Sequence, residues 1–108
     1  MRPLPALAML TLLAACGGDR GCPAVLANAS GQALEQFYVA RPGNEGWGAD
    51  LLPGRELPPG ASLPFRFPAE GNYGLRAVWT NGRAVEMRGV EACRTTRVTL
   101  RDGSMQAE

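Results

Sequence analysis

Glycine and proline recur along the whole of this chain, fourteen and nine in 108 residues, and leave little room for a long helix. What lies between them is short and apolar. Residues 23–29 (PAVLANA) read as a strand closed by the turn-forming Asn28-Ala29-Ser30-Gly31. Residues 34–41 (LEQFYVAR) hold Phe37, Tyr38 and Val39, all strong strand formers. A Gly-rich, irregular segment (RPGNEGWGAD) and Leu51-Leu52 follow. After Pro58-Pro59-Gly60, residues 62–67 alternate, with Leu63, Phe65 and Phe67 to one side and Pro64 and Arg66 to the other. Pro64 cannot donate to a ladder, so this strand is predicted at a sheet edge.

The segment YGLRAVWTNGRAVEM is predicted to be a hairpin around Asn81-Gly82. A two-residue loop would put Leu75, Ala77 and Trp79 on one face with Ala84, Glu86 and Arg88, mixing core with charge. A three-residue loop, Thr80-Asn81-Gly82, pairs Trp79 with Arg83. It then sets Val85 and Met87 beside Leu75, Ala77 and Trp79, with Arg76 opposite Glu86 on the other face. Slipping the register by one residue turns every side chain over, so burial selects the three-residue loop, with Gly82 left-handed. A last strand over 95–101 points Thr96, Val98 and Leu100 inward, and residues 102–108 are expected to be a loose tail. These elements define an all-β chain: a small antiparallel β-sandwich or partly open barrel of about six to seven strands, occupying residues 22–101.

Eleven arginines against ten acidic residues give no basic excess of the kind that nucleic-acid domains carry, so no nucleic acid is expected. The chain has no histidine, which removes Ser-His-Asp and Cys-His catalysis and His-based metal sites. No phosphate-binding glycine loop occurs, and no cofactor is expected. Two carboxylates across a groove could hydrolyse a glycoside. However, Glu45, Asp50, Glu56, Glu70, Glu86 and Glu91 fall mostly in turns or beside arginines. Oxygen ligands for calcium at Asn44, Glu45 and Asp50 match no calcium-loop spacing. Two tryptophans remain. Trp79 reads as core. Trp47, between Gly46 and Gly48, reads either as a lid over the open end of the sandwich, with Asp50 capping the turn behind it, or as an exposed recognition residue flanked by Arg41 and Arg55.

The amino-terminal residues carry an address. MRPLPALAMLTLLAA has a charged start and a short apolar core, the layout of a secretory signal peptide over residues 1–15. It ends in Leu13-Ala14-Ala15-Cys16, which resembles a bacterial lipobox. That resemblance implies cleavage before Cys16, a lipid on its thiol, and anchoring in a membrane. With Gly17 rather than Asp after the cysteine, it further implies the outer membrane in a cell that has one; the periplasmic side is the expected location, the cell exterior being the alternative. Residues 16–21 would form the lipidated cysteine and a tether under about 20 Å long when extended. With Cys16 committed to lipid, Cys22 and Cys93 remain in an oxidising compartment. They are expected to pair, a reactive thiol being the alternative.

The mature chain resembles small exported bacterial β domains of unassigned function. The resemblance rests on Asn28, Tyr38-Val39, Trp47-Gly48-Ala49-Asp50-Leu51-Leu52, Leu57-Pro58-Pro59-Gly60, Tyr73 and Val90-Glu91-Ala92-Cys93, and it spans about residues 24–100. Such domains often carry a cysteine just before the tyrosine, where this chain has Asn72. The departure leaves Cys22 as the partner available to Cys93. The function expected from these readings is that of a non-enzymatic, lipid-anchored envelope protein, a binding or accessory domain with an envelope protein as partner. The alternative is a disulfide-bonded inhibitor of an envelope hydrolase, working through loop 41–50.

Overall fold

The computed structural model describes residues 21–108, so the signal peptide and Cys16 lie outside the described residues. Seven strands occur among them: β1 (Cys22–Asn28), β2 (Leu34–Ala40), β3 (Ser62–Phe67), β4 (Asn72–Trp79), β5 (Ala84–Glu91), β6 (Arg97–Arg101) and β7 (Ser104–Ala107). They form two sheets, ordered β3-β1-β6-β7 and β2-β4-β5. The all-β architecture is the one expected. Leu26, Phe67, Val98 and Leu100 from the first sheet meet Phe37, Tyr73, Leu75 and Trp79 from the second in one buried cluster. Fully burying each large apolar side chain is worth about 1.5–3 kcal/mol, so this shared interior is what holds the sheets together.

The β4–β5 hairpin has the three-residue loop. The Trp79 amide donates to the Arg83 carbonyl at 2.9 Å, Gly82 sits at φ 89°, and Arg76 faces Glu86 as an ion pair. β3 is an edge strand, and its outward Pro64 therefore interrupts no ladder on its free side.

Three expectations are corrected. The fold is not wholly antiparallel, because β1 and β6 run parallel, with Leu26 beside Val98. A parallel pair needs a long crossover. Here the crossover comprises β2 to β5, and alternation within a strand carries no record of its direction. Residues 102–108 are not a loose tail, and the domain extends past residue 101. β7 pairs with β6, Met105 is buried, and Glu108 exchanges backbone hydrogen bonds with Arg97. Thr96 is exposed ahead of β6 rather than facing inward, while Thr99 is buried.

β2 also departs from simple alternation. Leu34 and Phe37 stand an odd number of residues apart, yet both are buried. A bulge between Leu34 and Gln36 absorbs the extra residue and turns both inward. The free edge of β2 is partly covered by the returning segment 51–57. The Leu51 amide donates to the Phe37 carbonyl at 2.8 Å, and Leu57 bridges Leu34. Unpaired strand edges invite association, and this strap blunts one.

Candidate functional site

At the end of the three-stranded sheet where β2 finishes and β4 begins, loop 41–48 curls over the outer surface and encloses a groove of about 430 Å³. That volume lies within the usual range for small-molecule sites. Arg41, Asn44, Trp47, Asn72, Tyr73 and Arg88 line it, together with several glycines.

Two glycines shape the groove. Gly74 lies mid-strand on the face of β4 opposite Tyr73 and Leu75, and a Cβ there would stand 3.4 Å from Cη2 of Trp47. The indole therefore rests against bare backbone. Opposite Gly74 the β4–β5 ladder slips by one residue, and Gly89, at φ 72°, supplies the left-handed conformation that such a bulge requires. The same slip brings Arg88 to the rim.

Trp47 is neither part of the core nor fully exposed. It is half-buried on the outer side of the three-stranded sheet, beside Tyr38 with ring centroids 6.5 Å apart, and it is not part of the core cluster. Trp79 is core, 3% exposed, with its indole N–H donating to Ser30 Oγ at 2.9 Å.

Arg41 is exposed and lies over the Tyr73 ring. Its guanidinium carbon lies 5.0 Å from the centroid of the Tyr73 ring. Gly71 leaves the room it occupies, since a Cβ at that position would stand 3.1 Å from an Arg41 nitrogen. The ring beneath is itself fixed, because the Tyr73 hydroxyl donates to the Ala69 carbonyl and accepts from the Ala69 amide. An arginine stacked on a pinned aromatic ring loses less rotamer freedom when it binds.

Arg55 does not flank Trp47. The strap along β2 carries the chain back toward Leu34, so Arg55 lines a separate depression with Glu35 and Glu56. The anchor of that strap is Asp50, whose Oδ1 accepts the amides of Phe37 at 3.0 Å and Leu52 at 2.9 Å. Asp50 thus caps the turn behind Trp47, as expected. Asp50→Ala should lower stability by about 1–3 kcal/mol, the cost of stranding two partly buried N–H groups, as read from denaturant unfolding. Unchanged stability would mean that water replaces the carboxylate without loss.

The other carboxylates are placed as follows. Glu86 pairs with Arg76, Glu91 lies 3.7 Å from Arg94, and Glu45 is exposed in the loop. Among the described residues no group of three or more potential metal-ligating side chains occurs.

Cys22 and Cys93 are joined, with Cα atoms 5.3 Å apart. The bond ties the start of β1 to the short 3-10 turn Ala92–Arg94 that follows β5.

Sequence reasoning missed Asn44 as a groove residue, and missed Asn72 and Arg88 there as well. The available signal was the pair of glycines inside strand patterns, Gly74 and Gly89, which mark a bulge or a close backbone approach. A disulfide-linked, two-sheet all-β domain with an arginine-lined groove on one outer face is the class that these observations define. Comparison with protein-family models, curated proteins and solved structures finds no match.

Proposed function

We propose that this chain is a non-enzymatic, lipid-anchored envelope protein that acts by binding at the groove under loop 41–48. The anchor is lipid on Cys16, and the membrane is the outer membrane, with the domain on its periplasmic side. The cysteine arithmetic supports the anchor, since the Cys22–Cys93 pair leaves Cys16, at the end of the apolar run, as the odd one. The observation that carries the binding role is the anchoring of the loop above the groove. Trp47 lies against Gly74 and Tyr38, Arg41 lies over Tyr73, and Asp50 fixes the loop's end, so the groove is shaped by the domain itself. An inhibitor that inserts loop 41–50 into a hydrolase would need its central side chain free, and a Trp47 turned back to the sheet fits an accessory or binding domain better.

The test uses the full chain in its native membrane, with a photoreactive side chain at position 44 and, as control, at position 101, on the solvent side of β6. Adducts should form from position 44 alone, and Trp47→Ala should abolish them. The same substitution should move the melting temperature little, because Trp47 contributes nothing to the core. Cys16→Ala should leave the chain without lipid and with residues 1–15 still attached, as read from its intact mass. Adducts from both positions or neither, or a wild-type chain whose mass shows no lipid on Cys16, would overturn the corresponding half of the proposal.

A further inference from the structure

Two guanidinium groups stand at the groove. Arg41 takes part in none of the ion pairs among the described residues, and Arg88 makes one long, exposed pair with Glu86 at 4.0 Å. Glu86 is engaged more closely by Arg76, and Glu91, across the ladder from Asn72, lies by Arg94. No carboxylate lines the groove itself. Its charge is therefore positive, on a chain whose net charge is only +1.

Between the arginines lie two kinds of surface. Asn44 and Asn72 each offer a carboxamide, which donates and accepts at once and so matches adjacent hydroxyl groups. Trp47 offers an aromatic surface, half-buried and rigidly backed by Gly74. A planar cation fork suits a carboxylate, paired amides suit hydroxyls, and an indole suits the C–H face of a sugar ring.

We infer that the groove takes an acidic saccharide, a sugar whose ring lies against Trp47 and whose carboxylate is held by Arg41 and Arg88. This inference rests on the proposed binding role of the groove. Arg41, already stacked on Tyr73, would act as the pre-set contact, while Arg88, 81% exposed at its side chain, would close on the ligand.

Titration of the detergent-solubilised full chain with tetragalacturonate, followed by amide NMR, tests this. The Gly74, Gly89 and Trp47 signals should shift, while those of the Thr80–Arg83 turn at the far end of the sheet should not. Arg41→Gln and Arg88→Gln should each weaken binding about ten-fold or more, the usual worth of a charge-assisted hydrogen bond. The fully methyl-esterified oligosaccharide should bind at least as poorly as those variants. Equal binding of the ester would overturn the role of charge, and equal binding of tetraglutamate would overturn the sugar. No binding of any probe would overturn the inference as a whole. Each of these failures leaves the groove itself to be judged by cross-linking from position 44, which does not depend on ligand class.

Discussion

Replacing both Cys22 and Cys93 with alanine should lower the unfolding free energy by about 4 kcal/mol, the chain-entropy value for opening a loop of this length. The two residues are 71 apart in sequence, so their bond restrains most of the described chain in the unfolded state. In the native state it does a second thing. It fastens β1, in the four-stranded sheet, to the turn that follows β5, in the three-stranded sheet, so the two layers share a covalent as well as an apolar link. Domains of this size are stable by only about 5–15 kcal/mol, so the loss would be a large fraction of the total. Denaturant unfolding of the wild-type chain with and without reductant should reproduce the difference. A reduced chain as stable as the oxidised one would show that the layers are held by packing alone.

Asn28→Asp should cost at least about 3 kcal/mol, although the two side chains are nearly the same size. Asn28 is 1% exposed and uses both ends of its amide. Its nitrogen donates to the carbonyls of Gln32 and Leu57, each at 2.9 Å. Its oxygen accepts from the Ser30 amide at 3.0 Å and the Ser30 hydroxyl at 2.6 Å. Ser30 Oγ in turn receives the Trp79 indole, so the network runs from β1 through the following turn to the end of β4. A carboxylate would present an acceptor to two buried carbonyls and leave them without a donor. Asn28→Ala removes both ends together and should cost less than Asn28→Asp, because no buried charge is introduced. Thermal unfolding of the two variants side by side measures the difference. If Asn28→Asp were the milder change, the network would not be as dry as its burial indicates.

Where alternation met a charge constraint, the fold was legible in the sequence. The β4–β5 register followed from keeping Glu86 away from Leu75 and Ala77, and the edge position of β3 followed from Pro64. Asn28 was visible only as a turn former: its bonds to Ser30 and Gln32 belong to that local turn, while the one that ties it to the rest of the fold, to Leu57, joins residues 29 apart. The direction of β6 beside β1 left no trace, because parallel and antiparallel neighbours demand the same apolar positions. β7 was missed because Ser104–Ala107 is short and carries one large apolar residue, Met105, whose burial is a tertiary fact.

The candidate site divides the same way. The flanking glycines singled out Trp47, and Arg41 does line its groove. Arg55 was placed there by nearness in sequence, and the Asp50-anchored strap carries it away. Arg88 and Asn72 arrive through the bulged β4–β5 ladder, which only the folded register reveals.

The pairing of β1 with β3 and β6 bears on the order in which the two sheets can form. β2, β4 and β5 are drawn from one internal stretch, residues 34–91, and their sheet needs nothing outside it. β1 precedes that stretch, yet one of its two neighbours is β6, which follows it and pairs in turn with β7. The apolar side chains of β1, Leu26 among them, stay without their final surroundings until both segments have met. Long-range pairing of this kind is intrinsically slow to form. The first strand of the described domain therefore belongs to the last sheet to close, and removing residues 104–107 would leave that sheet unfinished.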